Sequence, residues 1–195
     1  MKNKIILFIS ALLFIGANSF CADTPLEYFT KVRMDFAKSK SYSPRWTSNV
    51  QRKKIIDAWN SGKIDKGQKL AKQWLQKYPF DAEMHVWYGS FFKKQGDYKS
   101  YFYHMAMKNG LLASITSSGT GTSKTSPWKV ISVSEEYFVL NYLDAKLIKQ
   151  NLIFNSDGIP CDLMKCTING KAVDIYFDVS IPMTRRNKGL KPKSK

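Results

Sequence analysis

The chain has 195 residues, 44% of them hydrophobic, which is enough for one domain with a buried core or for two small layers. Its formal net charge of +16 favours anionic partners by long-range attraction, and a basic surface also serves solubility. Three cysteines and two histidines exclude a disulfide framework and argue against a metal centre, because none of them stands at metal-ligand spacing.

The N-terminus is typical of a signal peptide over residues 1–22. Lys2 and Lys4 form a basic start, and residues 5–15 form an apolar core that is too short to span a bilayer comfortably. The sequence therefore predicts export to the periplasm or the cell exterior, with an uncleaved membrane anchor as the alternative.

Two details of the signal peptide affect the mature N-terminus. Cleavage after Ser19 and cleavage after Ala22 both remain open. Cys21 could be the lipidated cysteine of a lipoprotein. However, diacylation requires a small residue directly before the cysteine, and this residue is Phe20. We therefore expect a mature protein with neither a lipid anchor nor a transmembrane segment.

Apolar residues at helical spacing predict a helical region over residues 23–113. Gly62 and Gly96 each end a helical pattern and lie 34 residues apart, which is the period of the tetratricopeptide repeat. Trp74 and Trp87 fall on apolar stripes, so we expect both in the core rather than in a ligand cage. The predicted helices cover about residues 25–37, 48–60 and 65–78, then run from the Asp81 cap to Gly96 and from the Asp97 cap to Asn109-Gly110.

The turn at residues 93–98 resembles the inter-helix turn of a tetratricopeptide repeat, with Gly89 at the small crossing position and Pro79 at the terminal proline. The likeness is incomplete, because Ile55 replaces the glycine of the first repeat and Tyr101 replaces a small alanine. It implies stacked antiparallel helical hairpins whose concave surface binds a protein or a peptide.

Residues 38–54 hold six basic residues and no acidic one. Tyr42 and Trp46 lie among these cations, so the segment could stack on bases while contacting phosphates. Export argues against nucleic acid as the partner, and an acidic envelope polymer fits the same composition. A solvated linker is the interpretation that we favour here.

Residues 114–127 are rich in serine, threonine and glycine, which predicts a flexible loop. Residues 119–125 resemble a phosphate-binding loop. However, Ser123 replaces the glycine that such a loop needs before its Lys-Thr pair, and a strand follows where a helix is required. We therefore predict no nucleotide, no metal and no other cofactor.

Residues 128–183 predict a small antiparallel β-sheet with one short helix. An extended pattern begins at Trp128, Ser132 and Glu135 have capping-box spacing for the helix, and residues 147–154 follow as a strand. The predicted fold class is therefore α+β, with the tetratricopeptide-like hairpins preceding the sheet.

Asn169-Gly170 indicates a type I′ hairpin between the last two strands. Pairing outward from this turn places Lys165 opposite Asp174 on one face and Cys166 on the other, core-facing side. Cys161 then lies on the face opposite to that of Cys166, where we expect it to be exposed.

Six short motifs of this chain form a recognisable set. They are Gly119-Thr120-Gly121, Val130-Ile131-Ser132-Val133, Ser134-Glu135-Glu136-Tyr137, Pro160-Cys161-Asp162, Tyr176-Phe177-Asp178-Val179 and, nearer the N-terminus, Tyr42-Ser43-Pro44. On these motifs the segment from Gly119 to Val179 resembles a bacterial family known as domain of unknown function 4919. The resemblance implies export and implies helices followed by a glycine loop, a short strand, a helix start and a terminal hairpin. It brings no activity, cofactor or catalytic residue.

Four residues of these motifs are candidate binding residues: Gly119, Gly121, Glu136 and Tyr137. Glu135 and Glu136 are neighbours on a helix and diverge by about 100°. We therefore interpret the two glutamates as first-turn charges that complement the helix dipole, and not as an acid–base pair. The sequence predicts no catalytic and no metal-binding residue.

Residues 184–195 carry six cations and no acid, which predicts a basic, disordered tail in which Arg185 and Arg186 could bind anions. Taken with the helical hairpins, the sequence favours an exported, non-catalytic protein- or peptide-binding scaffold. Binding of anionic envelope surfaces through the basic segments is the alternative, and an enzyme of unknown reaction is the third hypothesis.

Overall fold

The computed structural model describes residues 24–43 and 50–188, with side chains described through residue 184. The predicted signal peptide at residues 1–22 and the Trp46 part of the basic segment lie outside these residues. Helices and one sheet form the predicted α+β fold. In chain order the elements are α1 (Pro25–Lys38), α2 (Val50–Asn60), α3 (Ile64–Lys77), α4 (Ala82–Lys94), α5 (Tyr98–Thr116), β1 (Trp128–Lys129), α6 (Val133–Tyr142), β2 (Lys146–Phe154), β3 (Pro160–Ile168), β4 (Lys171–Asp178) and α7 (Ser180–Lys188).

The predicted helix boundaries at Gly62 and Gly96 are confirmed. Both glycines have positive φ, 72° and 75°, and lie two residues beyond the ends of α2 and α4. Asp81 and Asp97 then cap α4 and α5, because each carboxylate accepts the backbone N–H three residues further on. The turns pack α2 against α3 and α4 against α5, as a hairpin reading of the sequence requires.

Helix α5 continues beyond its predicted end at Asn109-Gly110 and runs to Thr116. Gly110 lies where α1 crosses α5, since a Cβ atom there would stand 2.2 Å from the ring of Phe29. The glycine therefore makes room for a neighbouring helix and does not end its own. Residues 114–116, which the composition assigns to a flexible loop, are therefore part of α5.

Two large buried clusters, and a third of only Ala37, Tyr42 and Ile131, occupy the inside of the described fold. The larger one joins the end of α5 to α6 and the sheet, so the helical region and the β region share a core. The smaller one lies among α2, α3 and α4. The larger cluster comprises Ala82, Leu111, Leu112, Ile115, Val130, Phe138, Val139, Leu140, Met164, Cys166, Ile175, Phe177 and Val179.

The two tryptophans of the helical stripes differ in burial. Trp74 is only 5% exposed and donates its indole N–H to Asp81 Oδ2 at 2.8 Å. Trp87 is half-buried, with the guanidinium of Arg52 lying 4.7 Å from its ring centroid. The core prediction is confirmed for Trp74, whereas Trp87 lies at the edge of the cluster.

The sheet has the strand order β1-β4-β3-β2. The predicted hairpin is confirmed, with positive φ at both Asn169 and Gly170 and with Lys165 paired to Asp174. β1 pairs with β4 in parallel, so the sheet is mixed and not wholly antiparallel as predicted. The prediction missed this pairing because β1 is only two residues long, Trp128 and Lys129, too short to show its partner in the sequence pattern.

The two described cysteines are both buried. Cys166 lies in the larger core, as predicted, but the prediction of an exposed Cys161 was wrong. The β3–β4 ladder continues one step past the strand ends there, since the Val179 amide donates to the Pro160 carbonyl at 3.0 Å. Counting strand faces separates Cys161 from Cys166 correctly, but it does not show that the chain buries both faces of the sheet at this end.

Helix α7 continues into the segment that the composition predicts to be a disordered tail. It spans Ser180–Lys188, so residues 184–188 are helical. Among the helices that the structure describes, none combines the length and the apolarity needed to cross a bilayer.

Candidate functional site

Helix α6 carries two of the predicted site residues, and its start differs from the predicted capping box. The Ser132 hydroxyl lies 2.9 Å from the hydroxyl of Ser134 and makes no capping bond to the helix. Glu135 instead accepts the backbone N–H of Ile131 at 2.8 Å. The capping-box prediction was therefore wrong, because Glu135 is turned inward toward a cation.

That cation is Arg33 of α1, which is 1% exposed. Its Nε lies 3.2 Å from Glu135 Oε1, its Nη1 donates to the Ser114 hydroxyl at 2.9 Å, and its Nη2 donates to the Lys129 carbonyl. Burial raises the pKa of Glu135, while the charge of Arg33 opposes that rise. One buried ion pair thus connects α1, α5, β1 and α6.

Glu136 is fully buried on the side of α6 that faces the sheet. Neither of its carboxylate oxygens receives a hydrogen bond from an N–H or O–H group of the described residues. Burial, followed by the charge of Asp162 on β3, raises the pKa of Glu136 well above its usual value. Burial and the neighbouring Asp162 charge therefore favour the protonated form of Glu136. Glu135 and Glu136 do lie in the first turn of α6, as interpreted from the sequence, but both side chains are buried.

Asp162 connects the buried Glu136 side chain to the protein surface. It accepts a hydrogen bond from Gln150 Nε2 on β2 at 2.6 Å, and burial raises its pKa. The Tyr137 hydroxyl lies 3.4 Å from Gln150 Oε1, with the side chain 42% exposed. The structure thus brings Glu136 and Tyr137 together with the aspartate of the Pro160-Cys161-Asp162 motif.

Strand β2 forms the outer edge of the sheet on this side. Among the described residues, β3 is its only strand neighbour, so the other edge presents a row of unpaired backbone N–H and C=O groups. The register with β3 shifts between Leu147 and Lys149, which places a β-bulge at Ile148. The exposed apolar side chains of β2, each between 37% and 67% accessible, are Leu147, Ile148, Leu152 and Phe154.

The two glycines of the predicted loop lie elsewhere and contact Trp128. The Gly119 carbonyl accepts the indole N–H of Trp128 at 3.0 Å. Gly121 has φ of 69°, and a Cβ atom there would stand 2.4 Å from the Trp128 ring. Its carbonyl accepts the Tyr176 N–H of β4, which β3 separates from β2. Gly119 and Gly121 therefore seat a tryptophan and do not reach the α6–β2 region.

The basic candidates are dispersed. Arg185 and Arg186 lie in α7, and their side chains are outside the described part. Tyr42 is buried and donates its hydroxyl to the Ile131 carbonyl, and Arg52 forms ion pairs with carboxylates next to Trp74. A base-stacking role for Tyr42, and a wholly solvated linker, are both inconsistent with this burial.

The two histidines form a buried pair between α4 and α5. Their Nδ1 atoms lie 2.8 Å apart, and His85 Nε2 lies 2.9 Å from the Pro79 carbonyl. Burial lowers the pKa of His85 to about 4 and that of His104 to about 3, so both rings are neutral at physiological pH. His85 then carries its proton on Nε2, and His104 donates from Nδ1. The described residues contain no group of three or more metal-binding side chains.

Glu136→Gln is expected to remove a pH dependence of stability. Because the folded protein holds the Glu136 proton above the usual pKa of 4.5, the free energy of unfolding of the wild type falls as pH rises. Glutamine keeps the shape and does not ionise, so the variant should lack this contribution of up to about 1.4 kcal/mol per pH unit.

Urea unfolding of both proteins between pH 5 and pH 8 measures the difference. Asp157→Asn, at an exposed carboxylate in the turn after β2, is the matched control and should leave the wild-type slope unchanged. Parallel slopes for wild type and Glu136→Gln would contradict the buried proton.

The sequence model of the family described as domain of unknown function (DUF4919) matches residues 26–188, which is nearly the whole described region. No curated protein and no solved structure matches the chain.

Proposed function

The chain belongs to the DUF4919 family, whose description states no activity, and on that premise we propose that it is a non-catalytic protein- or peptide-binding module. We further propose that it acts outside the cytoplasm, on the basis of the basic and apolar residues at its N-terminus. In this proposal the protein acts through a binding surface and not through a catalytic centre.

The single observation that supports binding is the unpaired edge of β2. Its nine residues form a strand about 30 Å long, at about 3.3 Å per residue. An extended segment of another protein can add to such an edge through backbone hydrogen bonds, while pockets for its side chains give specificity. The four exposed apolar side chains of β2 and the neighbouring Tyr137 supply the contact surface.

The buried carboxyl pair supports binding over catalysis. Glu136 and Asp162 have the raised pKa values that a general acid needs. However, Glu136 has no accessible surface, so a substrate in solvent does not reach its carboxyl group. Asp162 instead holds Gln150 of β2, whose Oε1 lies 3.4 Å from the Tyr137 hydroxyl of α6, and these contacts brace β2 against α6.

The helical hairpins are a second part of this proposal. We regard α2–α3 and α4–α5 as tetratricopeptide-like, because each pair is joined at a positive-φ glycine and its two helices pack against each other. In the proposed module they hold α5 and α6 in place behind the sheet. The larger core, to which Leu111 and Phe138 both belong, makes this connection.

The test is selection of random nine-residue peptides, displayed on phage, with the purified protein. Selected peptides are expected to lose at least about tenfold in affinity for Leu152→Lys and Phe154→Lys, because a charge on the apolar face of the edge opposes docking. Tyr98→Lys, an equally exposed aromatic position on α5, is the matched control and should bind as the wild type does.

N-methylation of the peptide backbone gives a sharper test of strand addition. In a strand pair only every second residue directs its N–H to the partner, so N-methylation of one alternate set of a peptide should abolish binding and methylation of the other set should not. Equal effects of both sets, or failure to select any peptide, would refute strand addition. Loss of all binding at 1 M salt would favour the anionic-surface alternative, since screening shortens to about 3 Å there.

A further inference from the structure

The two faces of β2 differ in chemistry, and this difference restricts what an added strand can carry. The face toward α6 includes Leu152, opposite Asp162, and Gln150, opposite the core residue Met164. Exposed Leu152, Phe154 and Tyr137 line the edge on this side and make it apolar and aromatic apart from Gln150. An added segment would place every second side chain against them.

The opposite face of the same edge is basic. Lys146 pairs with Thr167 and Lys149 pairs with Lys165, so all three lysines lie on the side of the sheet away from α6. Each is exposed, and the only carboxylate paired across this corner is Asp174, whose Oδ2 lies 4.0 Å from Lys165 Nζ among the described side chains. β2 itself, with the sequence KLIKQNLIF, has two lysines and no acid. The corner therefore carries a positive surplus.

A second copy of the chain is a poor occupant of this edge. Pairing β2 with β2 would bring two such lysine rows together on one face, in a protein whose formal net charge is already +16. Bulges and lysines are also features by which natural edge strands avoid pairing with their own kind. Charge complementarity favours a different partner.

We infer that the partner is an extended segment in which apolar residues alternate with acidic ones. Its apolar side chains would lie on the α6 side, against Tyr137, Leu152 and Phe154. Its carboxylates would lie on the other side, against Lys146, Lys149 and Lys165. This inference rests on the proposed function, because it specifies the sequence pattern of a segment that adds to β2.

Three synthetic nonapeptides test the pattern by fluorescence anisotropy with the purified protein. The first alternates valine with glutamate, the second alternates valine with lysine, and the third has the composition of the first with its valines in one block. The first should bind about tenfold more tightly than the other two, because several exposed charge pairs of modest strength act together.

Lys149→Glu should reverse the preference between the first and second peptides. Lys99→Glu, on exposed α5, changes the net charge equally and should not reverse it. If none of the peptides binds, the proposed function fails with the inference. If all three bind equally, or Lys149→Glu does not alter their order, the inference alone fails. Dimerisation of the wild type that Leu152→Lys abolishes would identify a second copy as the occupant and overturn the inference.

Discussion

Arg33→Ala is expected to destabilise the protein by about 3–5 kcal/mol, because it leaves the buried carboxylate of Glu135 without its counter-charge. The Ser114 hydroxyl and the Lys129 carbonyl lose the same donor. Ser114 is buried, so the desolvation of its hydroxyl is then no longer offset. Equilibrium unfolding in urea at pH 7 measures the loss.

Two further variants separate the ion pair from the packing of the arginine. Arg33→Met, Glu135→Gln and the double variant form a double-mutant cycle. The loss of unfolding free energy in the double variant should be smaller than the sum of the losses in the two single variants. Lys31→Ala, on an exposed turn of the same helix, is the matched control and should stay within about 0.5 kcal/mol of the wild type. A loss below about 1 kcal/mol for Arg33→Ala would show that Glu135 is held by other groups.

Trp74→Ala is expected to cost about 3–5 kcal/mol through lost burial and a residual cavity in the smaller core. The ring of Trp74 packs against Tyr78, with centroids 4.7 Å apart, and its N–H is one of the donors to Asp81. Because Asp81 also caps α4, the substitution disturbs both the core and a helix start. The midpoint of urea unfolding should fall accordingly.

Trp74→Phe separates the cost of the lost hydrogen bond from the cost of the lost apolar contact. It retains most of the apolar contact and removes the hydrogen bond, so it should lose about 1–3 kcal/mol. Phe102→Ala, at an exposed aromatic position of α5, is the control for loss of a ring without loss of core and should change stability little. Equal effects of Trp74→Ala and Phe102→Ala would mean that the α2–α4 cluster is not a core.

The features that sequence reasoning predicted correctly are those with local causes. The Asn169-Gly170 turn, the ends of α2 and α4 at Gly62 and Gly96, and the alternation of β3 each depend on residues that are close in the chain. Such patterns are visible without knowledge of the partners. The α+β fold class follows from adding them together.

The features that it missed depend on long-range contacts. Gly110 looks like a helix end until Phe29 is placed against it. Glu135 looks like a capping residue until Arg33 approaches from 102 positions away. An arginine among the apolar positions of the first helix was the one available signal for that buried pair, since such a residue requires an acidic partner.

The sequence identified only part of the candidate site. The motif resemblance identified Glu136 and Tyr137, but it also identified Gly119 and Gly121, which serve Trp128 on another part of the sheet. The open edge of β2 could not be predicted, because strand order is a property of the assembled sheet. The parallel pairing of β1 with β4 decides which strand is outermost on the other side.

The length of α5 has a consequence for how the molecule comes apart. Its first half belongs to a helical hairpin, where His104 meets His85, and its last turns carry Leu111 and Ile115 into the core beneath the sheet. A rigid rod shared in this way couples the two regions, so neither can melt without exposing apolar surface of the other. Thermal denaturation should then occur in one transition, and a cut after residue 113 would yield two insoluble fragments instead of two domains.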